Sequence, residues 1–362
     1  MRKLYSFIAA IMLVSLSCMA KGDSSLIAKA QALAAPLPEM SAAAPATAVA
    51  DGFISAPLRR VTATASATAP VLHGFLSHNS TWNKNVSNYG IYSFPAAADL
   101  TFNKEWSTRN ISSGAWADGL LCGYYVINYG GAIVISYYAY DGDTGKAVVS
   151  KQFNSSNTTS VYSYYALGLA YNYKNATLYG EFMTADGQKI AFSRVDPVTG
   201  VPTQVTSVEG DIIYLTMAFD ADGRLFAIGD NGVLYNIDLN KGTTKAIGNT
   251  GLQPQYYQSA TIDQATGKMY WAYMGKDLSS GLYEVNLSTG KATLVSDYAG
   301  ATVEITGLYS AHKPMGGVPA PIEDLDVTFP TSTDLNGTIS FTAPSKCADG
   351  STSDRPIGNI YY

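Results

Sequence analysis

The sequence predicts an all-β fold, built mainly as a five-bladed β-propeller with six blades as the alternative. Three observations carry that expectation. First, a short turn signature recurs four times: Tyr140-Asp141-Gly142-Asp143-Thr144-Gly145, Val195-Asp196-Pro197-Val198-Thr199-Gly200, Ile237-Asp238-Leu239-Asn240-Lys241-Gly242 and Val285-Asn286-Leu287-Ser288-Thr289-Gly290. Second, the closing glycines stand 55, 42 and 48 residues apart, a period typical of blades of four short strands. Third, the chain carries 26 tyrosines and 33 glycines among 362 residues, which favours strands and turns over helices.

Bulk composition bounds the rest. Hydrophobic residues are 47% and charged residues 14%, enough to build a large core under a lightly charged surface. Net charge is −5 and no basic stripe occurs, which argues against nucleic acid as a partner. The three cysteines, Cys18, Cys122 and Cys347, fall in different segments, so a disulfide framework is not expected. No Cys/His cluster has metal-ligand spacing, and no cofactor is implied.

Residues 1–20 read as an export signal. Arg2 and Lys3 supply the positive start, and Leu4 to Leu16 an apolar stretch too short to span a bilayer comfortably. Two processing routes follow from it. Cys18-Met19-Ala20 offers small residues for ordinary cleavage. Ser15-Leu16-Ser17-Cys18 instead resembles a bacterial lipobox, in which Cys18 would carry the lipid, although Ser15 stands where leucine is usual. No second apolar run follows, so contact with a membrane is expected through such an anchor alone.

Residues 21–69 are rich in Ala, Pro, Ser and Thr and lack the large apolar side chains that offset ordering entropy. They read as a tether. Residues 70–313 form the repeat region. One unit can be written strand by strand: Tyr214 to Asp220, Arg224 to Gly229, Val233 to Leu239 and Thr243 to Gly248, with Asp230-Asn231-Gly232 as a tight hairpin. At the two ends of the region the units are incomplete. Three strands near His73, Tyr89 and Leu100 lack an inner partner, and Val303 to Ser310 is a lone inner strand. Joining them completes one blade and closes the ring, which removes exposed sheet edges.

Residues 314–320 read as a linker, and residues 321–362 as a different module. Pro319-Ala320-Pro321, Asp324-Leu325, then Ile339-Ser340-Phe341-Thr342-Ala343-Pro344-Ser345-Lys346 and Asp349-Gly350 resemble the opening of a fibronectin type III domain common in secreted Bacteroidetes proteins. The likeness spans about 44 residues, where a full sandwich needs about 100. Three strands with an open face should not stand alone. Either the polypeptide is cut short there, which is the expectation, or the piece docks on the propeller or on another chain.

Candidate functional residues come from aligning the inner strands. Trp116, Tyr214 and Tyr257 fall at or just before the predicted inner strands, with Tyr165 and Tyr256 beside such positions. Aromatic rings gathered at a channel mouth would stack on sugar faces or peptide side chains. Packing between blades would use the same residues. Acidic residues near inner strands are Asp118, Asp211 and Glu304, with Glu181 on a second strand, and such carboxylates could serve a glycoside hydrolase. The signature aspartates Asp141, Asp196 and Asp238 read as Asx-turn formers. Asp220-Ala221-Asp222-Gly223 hints at a calcium loop without the required downstream glutamate. No catalytic residue is assigned.

Signal, tether, propeller and fibronectin-like tail together resemble uncharacterised Bacteroidetes secreted and surface proteins. That resemblance implies a non-catalytic binding or adhesion protein of the cell envelope or cell surface, at the outer membrane if Cys18 is acylated. Its partner would be an extracellular glycan or protein. The alternatives are a secreted hydrolase or lyase on the same scaffold, and a structural spacer.

Overall fold

The computed structural model describes residues 69–82, 88–129, 132–154, 161–184, 187–311, 322–329 and 337–342. The signal, Cys18, the tether, the linker and Cys347 lie outside the described residues. Within them the repeat region is a five-bladed propeller. Ser77 to Asn79 complete the first strand, and the described residues form five blades.

The strands run in chain order. β1 (Val71–Asn79), β2 (Gly90–Pro95) and β3 (Asn103–Trp106) come first. The second blade is β4 (Ser113–Ala117), β5 (Leu120–Tyr129), β6 (Ala132–Asp141) and β7 (Ala147–Asn154). The third is β8 (Gly168–Asn172), β9 (Thr177–Met183), β10 (Ile190–Val195) and β11 (Pro202–Val208). The fourth is β12 (Tyr214–Phe219), β13 (Leu225–Gly229), β14 (Val233–Asp238) and β15 (Thr243–Asn249). The fifth is β16 (Ser259–Asp263), β17 (Lys268–Met274), β18 (Ser280–Val285) and β19 (Ala292–Ser296).

β20 (Val303–Ser310) then returns to the start. It pairs antiparallel with β1, from Leu72↔Ser310 to Asn79↔Val303, giving the sheet order β20-β1-β2-β3. The inner strands β4, β8, β12, β16 and β20 touch in that order, and β20 touches β4 to close the circle. Covering the free edge of β1 with β20 satisfies backbone groups that would otherwise template aggregation.

Burial falls from the axis outward. β12 and β13 are buried along their whole length, whereas the outer strand β15 is largely exposed. Apolar side chains fill the spaces between neighbouring blades. Trp271, Phe182, Phe192 and Tyr137 are all fully buried there, and each stabilises the ring by roughly 2–3 kcal/mol of removed surface.

The four signature turns join the third and fourth strands of their blades, and geometry explains their recurrence. In each, the glycine N–H donates to the carbonyl of the Asp or Asn four residues earlier: Gly145 to Asp141 at 2.8 Å, Gly200 to Asp196 at 2.7 Å, Gly242 to Asp238 at 2.9 Å, Gly290 to Asn286 at 2.8 Å. The Asp or Asn side chain accepts a turn N–H, as in Val198 to Asp196 at 2.8 Å and Ser288 to Asn286 at 2.9 Å. The glycines have φ of 64, 68, 64 and 79°, left-handed backbone that glycine adopts without strain. Lacking a Cβ, each turn also presses onto the preceding blade: Gly145 on Trp106, Gly200 on Tyr137, Gly242 on Thr206, Gly290 on Gly248. The signature is therefore both a hairpin and a blade-docking device.

In the C-terminal segment β21 (Asp326–Thr328) pairs antiparallel with β22 (Thr338–Ser340). The Asp324 carboxylate accepts the Thr342 N–H at 2.9 Å. This two-stranded ribbon is compatible with a partial sandwich. Among the described residues no helix is long and apolar enough to cross a membrane.

Candidate functional site

The inner strands surround a channel with two ends, one where they begin and one where they hand over to the second strands. The sequence alignment placed Trp116 at a strand start. The structure corrects this: Trp116 is the fourth residue of β4, paired with Leu121 across the tight Asp118-Gly119 turn. It therefore lies at the exit end, on the opposite side from Tyr165, Tyr214, Tyr256 and Tyr257.

At the exit end an aromatic side chain recurs near the strand terminus: Trp116 in β4, Tyr171 in β8, Phe219 in β12 and Tyr309 in β20. Three rings form a stack. His73 of β1 lies 4.9 Å from Tyr309, and Trp116 lies 4.8 Å from its other face, both at 11°. The two outer rings thus seal Tyr309, which is 4% exposed. Burial, then the charges of Glu105 and Tyr173, push its hydroxyl well above the usual tyrosine range. His73 Nδ1 meets the Glu105 carboxylate at 3.0 Å. Trp116 is half-buried, and its far edge covers Gly142, where a side chain would collide with the indole.

Trp116, Tyr171, Phe219 and Tyr309 ring a hollow at the channel axis, together with Tyr173, Thr261, Ile262 and Gln264. About 30 Å³ of it is open to water-sized molecules, room for a few waters. Tyr171 and Tyr173 meet edge to face at 5.0 Å on its wall. Gln264 donates to the carbonyls of Phe219 at 2.8 Å and Ile262 at 3.0 Å, which fixes the amide. Its Oε1 is buried and accepts no hydrogen bond among the described residues.

The entry end is more polar. Of the residues expected to form an aromatic platform, Tyr165 and Tyr214 are 5% and 2% exposed and pack in inter-blade cores. Tyr256 is half-buried with φ of 64°. Tyr257 is half-buried as a residue, and desolvation holds its hydroxyl well above the usual value.

Two carboxylates are deeply buried. Glu181 accepts the Tyr214 N–H at 3.0 Å, and burial, with a smaller push from Asp230, holds its pKa well above the usual value. Glu304 is pushed up to about 7 by burial, against a smaller lowering from Ser77. The two stand in blades that are not neighbours, and neither is among the charges that act on the other. Asp118 and Asp211 are exposed, Asp118 in the β4–β5 turn with φ of 51°. The Asp220 carboxylate closes its own hairpin, accepting from Arg224 Nε at 2.6 Å and Arg224 N at 2.8 Å.

Sequence reasoning missed Tyr171, Tyr173, Tyr309 and Gln264 at the exit mouth. A signal existed in the recurring pair of a small or aliphatic residue and an aromatic: Ala115-Trp116, Ala170-Tyr171, Ala218-Phe219 and Leu308-Tyr309.

No protein-family model matches the chain, and no curated protein matches it in sequence. The solved structures to which it is similar are of low identity. A Bacteroides caccae protein of unknown function is 12% identical with a TM-score of 0.39, covering 67% of this chain and 98% of that one. TolB from Acinetobacter baumannii is 13% identical with a TM-score of 0.35, covering 77% and 61%. PorZ, a bacterial surface component of the type-IX secretion system of Porphyromonas gingivalis, is 12% identical with a TM-score of 0.33, covering 54% and 28%.

Proposed function

We propose that this protein is a non-catalytic binding module of the bacterial cell envelope, presenting a rigid propeller to an extracellular glycan or protein. The observation that supports it best is the exit-end hollow, to which every blade contributes. Ligand pockets that engulf small molecules span roughly 300–1,000 Å³, whereas this hollow has about 30 Å³ open to water-sized molecules, room for a few waters. A ligand would therefore rest on the rim and insert a single small group. Trp116 and Tyr171, both half-buried, offer ring surface for stacking. The free Oε1 of Gln264 offers an acceptor to a hydroxyl or amide N–H.

The test is a glycan and protein array probed with the wild-type chain and with Trp116→Ala and Tyr171→Ala. Binding that is present in wild type and at least about tenfold weaker in both variants, a difference of about 1.4 kcal/mol, is the expected result. Binding that survives both changes removes the exit mouth as the site. A wild type that binds nothing leaves the spacer reading in its place. The export signal and the Cys18 lipid anchor belong to the same proposal, and metabolic labelling with a fatty acid in wild type and Cys18→Ala tests the anchor.

A further inference from the structure

The entry end of the channel holds one deeply buried carboxylate with an unsatisfied oxygen. Glu304, on β20, is 5% exposed. Ser77 of β1 bonds Glu304 Oε1 and also donates to the Glu304 carbonyl at 3.2 Å. Oε2 is buried and has no hydrogen-bond partner among the described residues. The hydroxyl of Tyr257, which leads into β16, meets the Ser112 side chain ahead of β4 and lies within electrostatic reach of Glu304, while Ser259 and Thr306 bond across the same inner strands to the Ile305 and Ile111 carbonyls. His78 is the register partner of Glu304 on β1.

The inventory is rich in acceptors. A carboxylate oxygen accepts and cannot donate, and the hydroxyls of Ser112 and Tyr257 can accept as well. What Oε2 lacks is a donor, and a buried acceptor without one costs about 1–3 kcal/mol, more when charged. A calcium ion would ask for six to eight oxygens, several of them anionic. One carboxylate among neutral hydroxyls and tyrosine rings instead matches a single positive charge with several N–H donors, favoured further by ring faces.

We propose that the entry end is a second binding site, which takes a protonated primary amine with Glu304 Oε2 as its counter-ion and the Tyr257 and Ser112 hydroxyls as neutral acceptors. The amine could come from a lysine side chain, a peptide N-terminus or a free alkylamine, and all three present the same ammonium. The site is independent of the exit mouth, so either can fail without the other.

Calorimetric titration of the full chain with n-butylamine, Nα-acetyl-lysine amide and alanine amide tests it and separates the three sources. Binding of at least one probe at pH 8 is expected, weakened at least about tenfold in Glu304→Gln, or about 1.4 kcal/mol, and unchanged in Lys245→Ala on the exposed outer strand β15. Repeating the titration at pH 6 in two buffers of different ionisation enthalpy should show about one proton released per amine bound, because the ammonium pulls Glu304 into its ionised form. Tyr257→Phe, which keeps the ring and removes the hydroxyl, should weaken binding several-fold, by about 1 kcal/mol, and serves if Glu304→Gln does not fold. No binding of any probe at pH 8, equal binding by Glu304→Gln and wild type, or binding of calcium in preference to every amine would each overturn the proposal.

Discussion

Glu304→Gln keeps the shape of a buried side chain and removes its ionisable proton. In the folded chain Glu304 titrates at about 7, against an ordinary value of 4.5. The ionised form therefore costs about 3 kcal/mol more in the folded protein than in the unfolded chain. The folded-state value is the raised one, so the unfolded chain binds fewer protons between the two values and stability falls as pH rises. The contribution is fully present below pH 4.5 and is lost as pH passes through about 7. For a folded unit of this size, about 3 kcal/mol corresponds to roughly 6–12 °C in Tm. Thermal unfolding of wild type and Glu304→Gln should therefore give matching Tm near pH 5 and a wild type lower by up to about that amount at pH 8. Glu181 and every other group are common to both proteins and cancel in the comparison. Parallel Tm curves from pH 5 to pH 8 would refute the reasoning, because they would mean that Glu304 is hydrated or paired in the folded state.

Glycine substitution separates backbone strain from blade docking. Gly290→Ala meets both a φ of 79° and the Gly248 backbone of the neighbouring blade, whereas Gly267→Ala meets a φ of 70° with open space around it. Urea unfolding should show about 1 kcal/mol lost for Gly267→Ala and about 3 kcal/mol or more for Gly290→Ala; equal losses would deny that the signature turn docks blades. Trp116→Ala removes the stack on Tyr309 at 4.8 Å and should cost about 2 kcal/mol with a changed near-ultraviolet dichroism. Glu181→Ala strips the acceptor from the Tyr214 N–H and should cost about 2 kcal/mol by the same assay, while Glu181→Gln, which retains an acceptor, should cost clearly less.

The blades were legible because their instructions are local. Each signature turn needs an Asx acceptor and a left-handed glycine a few residues later, and both must be written in the chain side by side. Ring closure was legible by subtraction: three strands lacked an inner partner and one inner strand lacked a blade, and β20 pairs with β1 accordingly. The position of Trp116 was not legible. Its register depends on a hairpin turning at Asp118-Gly119, and an aromatic at the start of an inner strand reads like one at its end. That difference sends a residue to opposite mouths of the channel.

Local chemistry, then, determined the turns and the all-β class, because hydrogen bonds between residues two to five positions apart close each turn, whereas the choice of five blades over six was left to the tertiary structure. Tertiary structure decided which atoms lack a partner. Glu304 and Ser77 stand 227 positions apart, and the exit hollow draws on residues from Ala115 to Tyr309. A ring brings such distant segments together at its axis, and whether a carboxylate there finds a donor is a property of that meeting place.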